Sequence, residues 1–464
     1  MGKTGIDIEN NVWTMVVLIS IINRICFAIL CCFFLLPTAA NAQKRWTLDN
    51  CIEHALQHNL DIRHKTIDIA LREQDWQIAK RERMPSVNGY TNIYSNFGHS
   101  QDVFGTIQRN DNLNSNMGIT AEIILYNFGS LRNEIKKTQI DKNATELERL
   151  ILERQLTVKV IQGYLDMLLQ QALVQARDSA VLHANYLFER AERTTEIGTT
   201  ALADVYEAQA ALARENQQLE SAKIDVERAR LHLAQLMLLE DEQSLEIMPI
   251  QVASTSLPVE VFDKPTVLET VYSHHPILQR FDTLARGMDI ERRLIRGANY
   301  PTLKGSTSIG STYFNPLRVA EKDNFFRQTQ DNFAQQVALT ASIPIFNKGQ
   351  TKIQLKKLDL SKTQLLLEKE REQQEIRKQI QQLLFDFQSN QQQHKTAEEV
   401  MAHAEQAMLL AQKSYEAGRS SIYDYNNSRN QYIQAQNDWL QAQYSALFSY
   451  KMLLFQMTGQ APVE

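Results

Sequence analysis

The sequence predicts a mainly α-helical chain with a membrane β-component: long coiled-coil helical hairpins plus four β-strands. Three observations predict it. First, the chain repeats itself. Ile197-Gly198-Thr199-Thr200-Ala201-Leu202-Ala203-Asp204-Val205 returns in kind as Ala417-Gly418-Arg419-Ser420-Ser421-Ile422-Tyr423-Asp424-Tyr425. The same offset of 220 residues pairs Asn127 with Asn347, Gly129 with Gly349, Asp166 with Asp386, Ala222 with Ala442 and Met237 with Met457, as a duplicated structural unit would. Second, the 43% apolar content is Leu, Ala and Ile dispersed among Gln, Glu, Lys and Arg, with only 16 glycines and 10 prolines. That is the composition of long helices or coiled coils. Third, the apolar period changes from 3.6 to 2 after a proline, once in each half.

The chain opens on a targeting segment. Arg24 precedes the apolar run 25–36, and Pro37-Thr38-Ala39-Ala40-Asn41-Ala42 follows. Ala40-x-Ala42 fits a secretory cleavage site, so residues 1–42 read as a signal peptide and the mature chain as starting near Gln43. The competing possibility is a transmembrane anchor over 15–36, which Arg24 splits into runs short of a comfortable span. The acidic first dozen residues are foreign to such a signal, which leaves Met15 open as an alternative start. Cys26, Cys31 and Cys32 lie in this segment. A lipid-anchored Cys32 is disfavoured because Ile29-Leu30-Cys31 lacks the small residues of such a site. Only Cys51 remains, so an exported chain would have no internal disulfide and packing alone would hold it.

The first repeat is placed at 43–250. A helix over 48–83 shows an apolar face of Ala55, Leu56, Leu60, Ile62 and Ile67, with a break at Asn59. Pro85 ends it, because the ring excludes Met84 from helical geometry. Strands follow at 86–97 and 116–127. Val87, Gly89, Thr91, Ile93, Ser95 and Phe97 alternate with Asn88, Tyr90, Asn92, Tyr94 and Asn96. Met117, Ile119, Ala121, Ile123 and Leu125 alternate with Asn116, Gly118, Thr120 and Glu122. A long helix over 129–196 carries Leu147, Ile151, Val158, Ile161, Leu165, Leu168 and Ala172 at steps of three or four, a coiled-coil seam interrupted by Arg154. At 1.5 Å per residue it would reach about 100 Å. A return helix spans 202–239.

After a linker at 251–266, the second repeat at 267–460 follows the same plan. It has a helix over 267–299 that ends at Tyr300-Pro301, strands at 302–313 and 333–346, a long helix over 349–416 and a return helix over 422–457. The strands alternate Leu303, Thr307 and Ile309 with Lys304, Ser306 and Ser308. Further on, Val337, Leu339, Ala341, Ile343 and Ile345 alternate with Gln336, Ala338, Thr340 and Ser342. The long helix shows Leu355, Leu358, Ile376, Ile380, Leu383 and Phe387. Each strand is about 10–12 residues, the length of a membrane-spanning strand, and Phe97, Tyr126, Phe128, Tyr313, Phe314, Phe333 and Phe346 sit where interfacial girdles belong. A soluble hairpin with one wet face is the alternative for any single strand. The loops 98–115 and 315–332 are long and polar.

If these strands span a membrane, one chain is not the functional unit. Open strand edges are not tolerated in lipid, and the smallest natural barrels use about eight strands. Two copies would supply eight strands around a packed interior, and three would supply twelve around a channel. The Asn, Ser, Thr and Tyr face suits a wet lumen.

At this point the chain resembles the TolC-like outer-membrane efflux channel family. The resemblance covers nearly all of the mature chain. It rests on the duplicated helix–strand–strand–helix–helix order, the strand entries at Pro85 and Pro301, the exits Tyr126-Asn127-Phe128-Gly129 and Phe346-Asn347-Lys348-Gly349, and the two glycine-turn blocks. It implies a homotrimer with a 12-stranded barrel in the outer membrane of a Gram-negative cell and a 12-helix tunnel through the periplasm. It implies as partners a periplasmic adaptor and, through it, an inner-membrane transporter.

The site residues follow from the turns. Gly198 and Gly418 each look like a helix C-terminal glycine before a new N-terminus, with Thr199, Thr200, Ser420 and Ser421 as capping hydroxyls for the new helix. The resemblance makes these tips the adaptor-docking surface and the gate. Asp204 and Asp424 fall in the first turns of the return helices, where the dipole favours carboxylates. The resemblance assigns Asp424 to an acidic ring at the tunnel entrance, and Asn427 stands where a second acid is expected. It assigns Tyr415 and Asp204 to polar links that hold the gate shut. The family's arginine partner would fall at Ser420, and Arg419 is one place off.

Other functions find little footing. A net charge of −5 gives no footprint for nucleic acid. His54 and His58 have helical chelate spacing, but with His64 nearby no acidic or cysteine cluster completes a metal site. No catalytic triad order, phosphate loop or paired carboxylate motif stands out, and no cofactor is expected. A pore-less periplasmic coiled-coil adaptor or scaffold is the competing class. It would be expected to carry a Gly-rich β-domain beside one hairpin, whereas this chain has two hairpins and four alternating strands.

Overall fold

The computed structural model describes residues 45–101, 103–249, 262–318 and 324–460. The expected signal peptide and positions 251–261 of the expected linker lie outside the described residues. In chain order the elements are β1 (Arg45–Trp46), α1 (Leu48–His58), α2 (Leu60–Arg81), β2 (Ser86–Asn96), β3 (His99–Gln101), β4 (Ile107–Arg109) and β5 (Asn112–Tyr126). Then come α3 (Ser130–Glu196), α4 (Leu202–Met237), β6 (Glu246–Ile247), α5 (Lys264–His274), α6 (Pro276–Gly297) and β7 (Thr302–Pro316). Last are α7 (Phe325–Asp331), β8 (Ala334–Ser342), α8 (Gln350–Glu416) and α9 (Ile422–Thr458). Among the described residues no helix is long and apolar enough to cross a membrane.

Local chemistry explains where these elements differ from the expected spans. The stretch 48–83 is two helices, because Asn59 is extended and its side chain accepts from the amides of Asp61 and Ile62, capping α2. His275 marks the matching break between α5 and α6, where Pro276 fills the first helical turn. α5 starts at Lys264 rather than 267, because the Asp263 carboxylate accepts from the Thr266 amide. β8 stops at Ser342 rather than 346, since Pro344 removes a ladder donor and restricts Ile343. The loop 98–115 contains the β3–β4 hairpin and the first residues of β5, and the loop 315–332 contains α7.

β2, β5, β7 and β8 form one antiparallel sheet in that order. The register aligns the alternating faces. Val87 lies opposite Ala121, Thr91 opposite Met117, Ile119 opposite Ile309 and Thr307 opposite Val337, so one face is largely apolar. The other face carries Tyr90, Asn92, Thr120, Ser306 and Ser308. Gly118 and Gly310 are directly paired on this polar face. A Cβ on Gly118 would fall 2.6 Å from Ile309 O and 2.9 Å from the Tyr90 hydroxyl, so only glycine admits the Tyr90 ring across the pair.

Each strand exit turns into a long helix through two successive left-handed residues. They are Phe128 and Gly129 in the first repeat, Lys348 and Gly349 in the second. The non-glycine members cost about 1–2 kcal/mol each in that region. The Phe128 ring lies stacked on Tyr300, with centroids 3.5 Å apart, which anchors the first of these turns.

The sheet continues into a row of helices. α2 packs on α3, α3 on α6 and α6 on α8. Ion pairs stitch neighbours in the row: Lys142 to Glu73 at 2.9 Å, Arg280 to Glu148 at 2.8 Å, Lys362 to Asp289 at 2.6 Å, and Arg292 to Asp359. The row ends at α2 and α8, as the sheet ends at β2 and β8. Both end helices expose apolar residues along one stripe. α2 shows Leu60, Ile67, Leu71 and Ile78, and α8 shows Ile353, Leu360 and Leu367, each 59–67% exposed. Spacing by seven, with one step of four, is a coiled-coil seam, and among the described residues no partner helix covers it.

The main core lies where α1, α3, α4 and α9 meet, around Cys51, Ile161, Tyr164, Met167, Leu233 and Phe455. The Tyr164 hydroxyl lies 2.6 Å from Met248 O and ties β6 to α3. Burial pushes the Cys51 thiol up to about 12. A second cluster, with Val271, Leu278, Ile380, Phe387 and Leu453, joins α5, α6, α8 and α9.

Candidate gate at the helix tips

α3 and α8 both have 67 residues. Both end in a Schellman turn. The Thr199 amide donates to Thr194 O and the Gly198 amide to Thr195 O, each at 2.9 Å. In the second repeat the Arg419 amide donates to Ser414 O at 2.9 Å and the Gly418 amide to Tyr415 O at 3.0 Å. The glycines sit at φ 78° and 68°, the left-handed conformation this turn demands.

The hydroxyls divide in a way the sequence does not announce. Thr199 Oγ1 donates back to Thr194 O at 2.8 Å, and Thr200 Oγ1 lies 2.8 and 2.9 Å from the hydroxyls of Thr194 and Thr195. They tighten the end of α3 and do not cap α4, whose N-cap is Ala201. This corrects the expected cap, because a capping oxygen must sit at the residue just before the helix. Ser421 holds that place on α9. It forms a capping box in which its Oγ accepts from the Asp424 amide at 3.2 Å and the Asp424 carboxylate accepts from the Ser421 amide at 3.3 Å. The Ser420 hydroxyl is buried, has no partner among the described residues and caps no helix there.

Asp424 and Asn427 are both exposed on the first turns of α9. Asp204 is half-buried at the third position of α4. Tyr415 is half-buried at the end of α8, stacked on Tyr425 of α9 with centroids 5.9 Å apart. Burial raises its phenol above the ordinary value, the Arg190 charge opposes that, and the Asp204 charge adds to it. Among the described residues no hydrogen bond joins Tyr415 to Asp204. Arg419 is exposed, and among the described residues its side chain makes no ion pair. The cation beside Tyr415 is Arg190 of α3, 5.4 Å from the ring and 3.8 Å from the Glu416 carboxylate. Ala191, Ala208 and Ile422 close a small apolar cluster between the two hairpins, with Phe188, Val205 and Tyr415 against it.

Sequence reasoning missed Arg190, and it missed a buried polar group on α9. Arg429 pairs with Glu215 of α4 at 3.2 Å, both side chains almost fully buried. The signal was present: Glu215 lies seven residues after Ala208 and Arg429 seven after Ile422, charges in two apolar seams. The histidines singled out at 54, 58 and 64 are engaged locally. His54 Nδ1 lies 3.1 Å from Met237 O, His58 Nδ1 lies 2.9 Å from His54 O, and His64 pairs with Asp68 at 3.7 Å.

Residues 51–237 and 291–459 match the outer membrane efflux protein family. The chain belongs to that family. Each matched stretch falls within one of the two expected repeats. Solved outer-membrane proteins, two of them described as channels, have the same fold. The Campylobacter jejuni CmeC outer membrane channel is 16% identical with a TM-score of 0.72, over 89% of this chain and 85% of that one. The outer membrane protein VceC of Vibrio cholerae is 17% identical with a TM-score of 0.70, over 89% and 96%. The Neisseria gonorrhoeae MtrE outer membrane channel, in its open state, is 16% identical with a TM-score of 0.67, over 89% of each. At such identities the likeness is one of fold. No curated protein matches the chain in sequence.

Proposed function

We propose that three copies of this chain form one export duct, with a shared β-barrel in the outer membrane and a helical tunnel through the periplasm. One observation carries the reading. The sheet and the helix row end on the same two sides, at β2 with α2 and at β8 with α8, and among the described residues both sides are unpartnered. A sheet with free edges is not viable in lipid. Joining the β8 and α8 side of one copy to the β2 and α2 side of the next repeats the same heterologous contact, which closes as a ring. Three copies give twelve strands, enough for a lumen, where two give a packed barrel.

In this duct the tips built on Gly198, Thr199, Thr200, Gly418, Ser420 and Ser421 dock a periplasmic adaptor, which links the duct to an inner-membrane transporter. Asp424 and Asn427 line the entrance, so threefold symmetry sets three carboxylates around one axis and favours cations there. Tyr415 and Asp204 bias the closed tip, with Arg190 in the place that Arg419 leaves empty. The duct moves nothing by itself, and its partner supplies the energy.

The test is fractionation and reconstitution. The full chain, expressed in a Gram-negative host, is expected in the outer membrane and to give discrete single-channel currents in planar bilayers. A water-soluble periplasmic monomer without channel activity would overturn the reading.

A further inference from the structure

The tip half of the molecule holds a polar group that neither the turns nor the entrance uses. Two helical turns beyond Ser421, Arg429 enters the groove between α3 and α4. Its guanidinium meets Glu215 Oε1 at 3.2 Å and donates to Ala180 O at 2.9 Å. One turn closer to the tip, the Tyr425 hydroxyl lies 3.0 Å from His183 Nε2 of α3. These contacts all run between the second hairpin's return helix and the first hairpin. We propose that the Arg429–Glu215 pair and the His183–Tyr425 hydrogen bond form a latch between the two hairpins, which breaks when the tip of the duct widens. The inference rests on the duct reading and names a switching element within it.

Three properties suit this group to a latch rather than to general stability. A buried ion pair adds little over an apolar pair of the same size, but each charge alone is costly. The pair therefore fixes one seating of α9 and penalises any slide along the groove. The group is also incompletely satisfied: among the described residues Glu215 Oε2, His183 Nδ1 and Asn426 Oδ1 are buried without partners. A partly satisfied network is only marginally favourable, so it can open. Finally, it lies next to Tyr415 and the Arg190–Glu416 contact, so the docking of α9 and the packing at the tip move together.

The latch is sensitive to acid. His183 faces Tyr186 on its own helix, Tyr425 and Arg429 on α9, Glu416 on α8 and, behind Arg429, Glu215 on α4. Burial first, and then the Arg429 charge, hold the imidazole below its ordinary value of 6.5. The latched state thus prefers the neutral ring. It is fully favoured above the ordinary histidine range, and loses ground as pH falls below it, when the released ring takes up a proton and a second cation beside Arg429 is refused.

The experiment is conductance of the full-length protein in planar bilayers at fixed low voltage, from about pH 8 to about pH 5, the range in which histidine titrates. Wild type is expected to conduct weakly at the alkaline end and more strongly on acidification. Arg429→Gln is expected to raise the alkaline conductance on the order of tenfold, as loss of a charged hydrogen bond would, with the oligomer intact. His183→Gln, which removes the titratable ring and keeps a polar side chain, is expected to flatten the pH response. Wild-type currents with both variants unchanged would overturn the latch alone, and a wild type without currents would overturn the duct and the latch together. If Arg429→Gln does not assemble, His183→Gln decides: a retained pH response counts against the latch.

Discussion

Replacing Leu71 and Leu360 together by glutamate attacks the two apolar stripes at once. In the single chain these side chains are 59% and 65% exposed. Fully burying a leucine is worth about 1.5–3 kcal/mol, so covering the exposed share gives about 1–2 kcal/mol for each. Each seam contains one of each, and a closed ring of three has three seams, for a total of about 6–12 kcal/mol. The double substitution removes that gain and sets two carboxylates of like sign on the contact, which costs more. Neither side chain has a role in the core of its own chain, so the helices themselves should survive. The assay is light scattering on size-exclusion fractions in mild detergent, with helix content followed by circular dichroism. The expected result is a shift from trimer to monomer at unchanged helicity. A trimer as persistent as wild type would show that α2 and α8 do not meet across copies.

Asp424→Ala should lower the cation preference of the channel, read as a shift of reversal potential in a salt gradient, and unchanged selectivity would place Asp424 away from the lumen. Because its carboxylate also completes the Ser421 capping box, the same substitution should cost α9 about 0.3–1.5 kcal/mol, visible in hydrogen exchange of the first turn. Gly118→Val puts a branched side chain where a single Cβ already meets Ile309 O at 2.6 Å. The β5–β7 ladder should part, and heat-stable assembly in detergent should be lost. The Cys51 thiol is buried and its pKa pushed up to about 12, so it should resist alkylation at about pH 8 in the native chain and react quickly in denaturant. Rapid native labelling would mean that the α1 end of the core opens readily.

Much of this architecture is written in one-dimensional signals. Pro85 and Pro301 interrupt helical periodicity, and β2 and β7 begin one residue after them. The two glycine blocks fall on the two Schellman turns because only a left-handed residue ends such a helix cheaply. Other features depend on three-dimensional context. Phe128 and Lys348 adopt positive φ without being glycine or asparagine, held by the turn and, at Phe128, by stacking on Tyr300. Thr199 and Thr200 look like caps in sequence, yet their hydroxyls find nearer acceptors at the end of α3. Arg190 precedes the turn block, and its link to Tyr415 crosses from one hairpin to the other, so no local pattern carries it. Arg429 and Glu215 do leave a trace, a charge in each of two apolar seams, and that trace gains meaning once the seams are seen to face each other.

Electron microscopy of the detergent-solubilised full chain tests the central claim most directly. End-on views should show three copies around one hole, and side views a tube with helical walls extending about 100 Å from the barrel. Particles the size of one chain, or a twofold particle with no central opening, would contradict it.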